Sequence, residues 1–481
     1  MSLHEHLYQV LESVSGIVPE TYLAFCFLGL LLLELFFKTS PLQSRLLYAG
    51  AWIAILGTGI LVFAQTNAPE GYLFHRLLYL DAKAVFFKKI ILGATAGVLI
   101  HIRLVGRVFA AEMYHLLLAV VLGLCFLTMA VNGLSIYLSL ELVSIGSYLM
   151  AALGHDKKTS EGGLKYLLFG AMSSAVMLYG LSFVYGIAGT LDLTSTKLVQ
   201  SFVQNSPEVL SVVGFLVLAG VMFKLSLVPF HVWTPDLYQS TPVPVVSFLS
   251  TAPKVAALLV LMRIISALPV DFQRLMAVVV LASILVGNLS ALWQNNLKRL
   301  MAYSGIAQAG FVVIGLVAFN QTGFENATFY IIVYVLMNVA AFFLIDVLAE
   351  EDADLAAFAG RGSQQPLLGV SLTLVMASLV GMPPTAGFTA KLLVFSSLWE
   401  AYQQRQDILF LWLLVVGLLN AVVSLFFYFK LPYFLFFRNT SGVSGPLSIS
   451  FWVKVFAVFL ALFLVVLFFK TDILMQLIYR L

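Results

Sequence analysis

With 481 residues, 61% of them hydrophobic and only 10% charged, and a mean hydropathy of +1.01, the chain is too apolar for a soluble protein, where about a quarter of residues are charged. The formal net charge is +3 and the basic residues are scattered, which excludes a nucleic-acid surface. Cys26 and Cys125 both lie in apolar runs without a CxxC partner, which excludes a disulfide framework and an iron–sulfur or zinc site. The composition is that of an all-α polytopic membrane protein.

No basic region runs directly into an apolar stretch with a small-residue cleavage site at the N-terminus, so the first helix is expected to be retained. A spanning helix needs about 20 mostly apolar residues. On that ruler the sequence predicts about fourteen spans, near 20–37, 44–64, 80–100, 113–131, 134–153, 162–187, 208–229, 243–266, 274–293, 299–318, 325–349, 366–399, 408–430 and 450–470. Pro229 and Pro235 interrupt the seventh span, and Pro383 and Pro384 the twelfth. Backbone freed at membrane depth is tolerated only inside protein or along a hydrated cavity, so both breaks mark a working region.

Interrupted segments at matching places in two halves predict an inverted repeat with its site at the repeat interface. The expected division of the single transmembrane domain is 1–110 (peripheral spans 1 to 3), 111–268 (first repeat, spans 4 to 8), 269–437 (second repeat, spans 9 to 13) and 438–481 (C-terminal helix). Placing both termini outside puts eleven basic residues in cytoplasmic loops, among them Lys38, Arg45, Arg103, Arg107, Lys298 and Arg299, against seven outside. The positive-inside rule favours that orientation, although Lys83, Lys88 and Lys89 near the third span blur the count. No loop is long enough to form a nucleotide or redox domain.

Lys224, Lys254, Lys391 and Glu141 stand in the middle of long apolar runs. Each costs about 2.5–3.5 kcal/mol or more in hydrocarbon, so such residues face the protein interior or a hydrated path. Burial favours a neutral amine and a nearby carboxylate favours the ammonium form, so a Lys with a Glu partner is a switchable proton site. Glu141 is the expected partner of Lys224, as the one acid read as buried in the first half apart from Glu34 and Glu161 near helix ends. The competing reading is a static ion pair that fixes packing.

Secondary candidates are His231 and Asp236, which either hydrate a half-channel or cap the broken seventh span, and Lys165, a proton-path residue or a snorkelling anchor. Lys298 and Arg299 read as interfacial anchors and Glu34 as a structural residue, while Tyr303 and Ser304 read as water-holding. No Ser/His/Asp set, metal cluster or glycine-rich nucleotide loop is present in the sequence.

The segments PFHVWTPDLYQSTPVPVVSFLSTAPKVA, KRLMAYSGIAQAGFVVIG (298–315) and GMPPTAGFTAKLLVF (381–395) resemble the antiporter-like membrane subunits of respiratory complex I, over about residues 80 to 430. Among these the chain is most similar to subunit N, because Lys391 stands where subunit M usually has glutamate and the chain ends at Leu481, without the longer arm of subunit L.

The resemblance implies a proton path in which Glu141 is the fifth-helix glutamate, Lys224 the seventh-helix lysine, Lys254 the connecting lysine and Lys391 the lysine near the exit. It implies a bacterial inner-membrane subunit of an NADH:quinone oxidoreductase, with no cofactor of its own. Flavin, iron–sulfur clusters and quinone would be held by partner subunits, and subunit M and small subunits such as K and J would be neighbours, along with lipids. Gln308 stands where relatives often carry histidine, which puts a charge-carrying role there in doubt. A cation/proton antiporter subunit and an energy-converting hydrogenase membrane subunit share the same local chemistry and remain as alternatives.

Overall fold

The computed structural model describes all residues except 1–2, 38–42, 108, 155, 268–271, 350–353 and 439–448. Lys38, used in the orientation argument, lies outside the described residues, as do parts of the loops at 350–365 and 438–449.

In chain order the helices are α1 (Leu3–Ser15), α2 (Val18–Phe37), α3 (Gln43–Ala64), α4 (Ala82–Val105), α5 (Glu112–Met129), α6 (Gly133–Ala152) and α7 (Lys157–Ala188). There follow α8 (Thr196–Val203), α9 (Pro207–Leu225), α10 (Trp233–Ser240), α11 (Val243–Ala267), α12 (Phe272–Leu292), α13 (Leu297–Val317) and α14 (Gln321–Ala349). The last are α15 (Arg361–Gln364), α16 (Pro366–Val380), α17 (Ala386–Arg405), α18 (Ile408–Tyr428), α19 (Lys430–Phe437), α20 (Phe451–Phe469) and α21 (Thr471–Ile478). Thirteen described helices are long and apolar enough to cross a membrane. The expected twelfth span is divided between α16 and α17, so the positions of all fourteen expected spans carry helices.

Two features were not anticipated. A 13-residue helix, α1, precedes the first span. A small antiparallel hairpin pairs β1 (Gly71–Leu73) with β2 (Leu78–Leu80) between α3 and α4. Three-residue strands are too short to leave an apolar-run signal.

Polar side chains cap the N-termini of five of the long helices. Asp81, Asp156, Asn296 and Asp407 accept backbone N–H groups at the starts of α4, α7, α13 and α18, and Asn132 with Ser135 forms a reciprocal box at α6. Each cap satisfies donors that the first turn leaves open. Close packing depends on small residues, as is usual where lipid supplies no hydrophobic drive between helices. At Gly287 a Cβ would come 2.5 Å from the Ala307 backbone nitrogen, so glycine is what lets α12 and α13 touch.

The centre of the bundle is α11, almost all of whose residues are buried and which packs chiefly against α4, α14 and α9. The lysine-bearing helix α11 is therefore the axis of the molecule, and the peripheral spans α2 and α3 face outward.

Candidate functional site

The seventh expected span stops as α9 at Leu225, where Ser226 adopts a left-handed conformation (φ 61°), and resumes as α10 at Trp233. Lys224 occupies the last turn of α9 and is buried. Its Nζ lies 3.4 Å from Ser147 Oγ and 3.4 Å from Tyr166 OH, with the rings of Tyr148 and Tyr166 each 5.5 Å away. Tyr166 is held in turn by stacking on Trp233 at 4.4 Å, and Trp233 Nε1 donates to the Phe223 carbonyl at 3.3 Å. The break thus builds an aromatic and hydroxyl box around one ammonium.

Glu141 lies six residues before Ser147 on the same helix, α6, and is half-buried. No ion pair joins it to Lys224, and its Oε1 has no hydrogen-bond partner among the described residues. Lys224 instead meets the Ser147 and Tyr166 hydroxyls, which are themselves 3.3 Å apart. A static Glu–Lys ion pair, the competing reading, is not what the geometry contains.

Lys254 projects from α11 and is 1% exposed. Its Nζ donates to the Gly305 carbonyl at 3.0 Å and to Tyr334 OH at 3.2 Å, linking α11 to α13 and α14. A group this deep is tolerated because two oxygens and the Tyr334 ring, 5.3 Å away, replace water.

Lys391 sits on α17, just past the break, and its Nζ donates to the carbonyls of Leu379 (3.1 Å) and Val380 (2.7 Å). These are among the last carbonyls of α16, left open because the helix ends at Val380 with Gly381 left-handed at φ 87° and Pro383 and Pro384 following. The negative end of the half-helix dipole thereby meets the cation. The ring of Phe311 lies 4.6 Å from Nζ. Gly387 is required at the junction, because a Cβ there would collide with the Ser378 carbonyl.

Between these lysines stands Gln308 on α13. Its Nε2 donates to the Leu379 carbonyl (2.8 Å) and Tyr428 OH (3.1 Å), and its Oε1 accepts from Tyr330 OH (2.7 Å). Tyr428 also bonds Ser304. Tyr330 and Tyr334, four apart on α14, share a face, so polar groups follow one another from Lys254 through Tyr334, Tyr330 and Gln308 to the carbonyl that also receives Lys391.

The secondary candidates group at one end of the bundle. Asp236 on α10 accepts from Lys165 on α7 at 2.9 Å and from Arg299 on α13 at 2.7 Å, and does not cap α10. Lys165 also pairs with Glu161 at 3.0 Å. Lys298 donates to the carbonyls of Gln239 (3.4 Å) and Thr241 (3.1 Å), so the two cations read as anchors also tie α13 to α10. His231 lies in the break itself, and its Nδ1 is buried.

Sequence reasoning missed two buried charge clusters, and the statement about acids in the first half needs correction. Glu20 is fully buried and pairs at 2.7 Å with Lys88, equally buried, which adds a fourth lysine to the interior. Lys88 entered the sequence reading only in the charge count near the third span, and Glu20 not at all. Pro19 before Glu20 and the neighbouring Lys89, which does reach the surface, gave interfacial signals. Asp346 on α14 receives His101 Nε2 at 3.0 Å and Arg107 at 2.5 Å. Its position in FFLIDVLAE, inside an apolar run, was the available clue.

Residues 130–424 match the family model described as "NADH:quinone oxidoreductase/Mrp antiporter, TM". The chain belongs to this family. NADH-quinone oxidoreductase subunit N 2 of Chloroherpeton thalassium is 35% identical over 450 residues, covering 89% of this chain and 86% of the relative. NADH-quinone oxidoreductase subunit N of Trichlorobacter lovleyi is 33% identical over 467 residues, covering 92% and 93%. Among solved structures, a chain of respiratory complex I from Thermus thermophilus with bound aureothin superposes with a TM-score of 0.81 at 28% identity, covering 95% of this chain and 99% of that one. Within the NADH:quinone oxidoreductase/Mrp antiporter family the chain thus groups with subunit N relatives along nearly their whole length, which is the resemblance its motifs suggested.

Proposed function

We propose that this chain is the proton-translocating subunit N of a bacterial NADH:quinone oxidoreductase, moving protons along Glu141, Lys224, Lys254 and Lys391 while electron transfer proceeds in other subunits. The observation that carries this reading is a pair of buried hydrogen-bonded groups, Lys254 with Gly305 and Tyr334, and Tyr330 with Gln308, the Leu379 carbonyl and Lys391, which come together at Tyr330 and Tyr334, four residues apart on α14. Ionisable groups set at the two helix breaks, with hydroxyls and open carbonyls among them, form steps for a proton.

Buried hydroxyls without a hydrogen-bond partner among the described residues support hydration of the middle of the path. They include Thr241 Oγ1, just before α11, and Ser247 Oγ on it. Polar groups buried in this way bind water, and water completes proton transfer between groups too far apart to touch. Gln308 cannot carry charge, so in this reading it orients its neighbours and a water, and the proton passes beside it.

The two-repeat organisation, 111–268 and 269–437, is part of the proposal. It is supported by a matching detail: Asn132, preceding α6, bridges to Asp192, and Asn296, preceding α13, bridges to Asp354. The lysine at each break, Lys224 and Lys391, then stands in corresponding parts of the two units. Flavin, iron–sulfur clusters and quinone belong to partner subunits in this reading, with subunit M and small subunits such as K and J as membrane neighbours. Both termini face the periplasm of an inner membrane.

The family also contains Mrp antiporters, so a cation/proton antiporter subunit is the second reading, and an energy-converting hydrogenase membrane subunit the third. Mild-detergent purification of the chain from its source membranes separates them. Co-purifying flavin, iron–sulfur signals and NADH:quinone activity are expected. An assembly of membrane subunits without redox centres would instead establish the antiporter, and one that evolves hydrogen the hydrogenase.

A further inference from the structure

A cleft of about 500 Å³ opens where α3 begins, α4 ends and α5 begins. Its wall includes Ser44, Arg45 and Tyr48 from α3, Arg103 and Arg107 from the end of α4, and Tyr114 from α5. No carboxylate lines it. Arg45 and Arg103 are exposed and take part in no ion pair among the described residues. Arg107 is oriented by Asp346, which receives one of its nitrogens at 2.5 Å. Arg45 and Arg103 thus bring two guanidinium groups without an ion-pair partner among the described residues to one concave spot, an arrangement that an anion relieves, and arginine matches phosphate oxygens with two parallel donors.

The cleft lies at the ends of three spans, hence at the membrane surface, and the tyrosine rings of Tyr48 and Tyr114 pack edge to face at 6.3 Å in its wall. Amphipathic tyrosines mark headgroup depth. Below it α3 presents an apolar stripe in which Leu46 is 37%, Ile53 63% and Ile60 71% exposed, at seven-residue spacing along one face. Phosphate-sized polar space above and exposed hydrocarbon directly beneath match the two parts of a single ligand.

We propose that this cleft binds the phosphate headgroup of an anionic phospholipid whose acyl chains run along the Leu46, Ile53 and Ile60 face of α3. Arg45 and Arg103 hold the phosphate, and Ser44 adds a hydroxyl donor. Continuity of the cleft with the apolar face favours lipid over an acidic segment of a neighbouring subunit, which would have no use for that hydrocarbon. The proposal stands apart from the proton path and survives its failure.

The test uses the intact native complex in discs of uncharged phosphatidylcholine, titrated with a photoactivatable phosphatidylglycerol. Saturable labelling is expected on the segments 43–48 and 102–114. An Arg45→Gln/Arg103→Gln complex, whose exposed substitutions leave the fold intact, should need on the order of 25-fold more probe for half-labelling, about fivefold per arginine. Three results would overturn the proposal: equal labelling of the variant, displacement of the probe by millimolar inorganic phosphate, which would assign the site to a soluble anion, or absence of label with a protein–protein cross-link from this surface.

Discussion

Gln308 and Lys391, on different helices, donate to one carbonyl oxygen, that of Leu379, at 2.8 and 3.1 Å. The carbonyl is open because α16 ends at Val380, so the helix break and the two side chains form one unit. Any change that mends the break, tilts the carbonyl or removes one donor alters the electrostatics felt by the other.

Gln308→Leu removes hydrogen bonds to Leu379, Tyr428 and Tyr330 together. A buried hydrogen bond contributes about 1 kcal/mol net, and an orphaned partner costs more. The variant should assemble and show a coupled rate lowered about five- to tenfold, with Gln308→His restoring most of it. Assembly is checked by native electrophoresis, and the rate by NADH-driven acidification of proteoliposomes. A leucine variant pumping at the normal rate would remove Gln308 from the path.

Lys224→Ala should lower coupled proton transfer by on the order of a hundredfold, the usual contribution of a positioned proton-transfer group, with the complex still assembled. Glu141→Gln should give a partial defect, because in the proposed path the carboxylate acts on Lys224 by way of the Ser147 and Tyr166 hydroxyls that hold its Nζ, and no ion pair among the described residues joins the two. A Ser147→Ala, Tyr166→Phe double variant should then mimic Glu141→Gln. Initial pumping rates of the three variants measured side by side decide this, and a normal rate in the double variant would break the proposed link.

The Glu20–Lys88 pair behaves differently. Removing one partner strands a charge in the interior, at a cost of about 3–5 kcal/mol, whereas removing both is close to neutral. Lys88→Met should therefore lower the melting temperature and yield of the complex, and Glu20→Gln/Lys88→Met should recover both while keeping normal pumping. A double variant that melts normally yet fails to pump would place the pair in the proton path instead.

Most of the architecture was legible because hydrocarbon imposes a length rule: runs of about 20 apolar residues give spans, and Pro229 and Pro384 fall at both breaks. The lysines were legible for the same reason, since Lys224, Lys254 and Lys391 interrupt runs that are otherwise apolar. Glu20 and Lys88 were not, because each lies within the first two turns of its helix, where a charge normally reaches water, yet both are fully buried. The tyrosines Tyr166, Tyr330, Tyr334 and Tyr428 were hidden in another way. Among 19 tyrosines, spacing cannot tell which hydroxyls turn toward a lysine on a different helix.

Asp236 joins α7, α10 and α13 through Lys165 and Arg299, all partly exposed. Ion pairs so accessible to solvent contribute about 0–1 kcal/mol each, so Asp236→Asn should leave the melting temperature nearly unchanged. If Asp236 admits protons to the break beside His231, pumping should still fall by severalfold. Melting and pumping measured on the same preparation separate the roles: loss of stability alone would mark Asp236 as a structural tie.

The central claim, that the buried lysines carry the translocated proton, is tested most directly at Lys254, which links α11 to α13 and α14 in the interior of the bundle. The complex bearing Lys254→Met should be reconstituted in sealed proteoliposomes and its protons moved per NADH oxidised compared with the unaltered complex. A lowered ratio, or turnover that collapses in step with pumping, is the predicted result. An assembled complex with an unchanged ratio and unchanged rate would contradict the account.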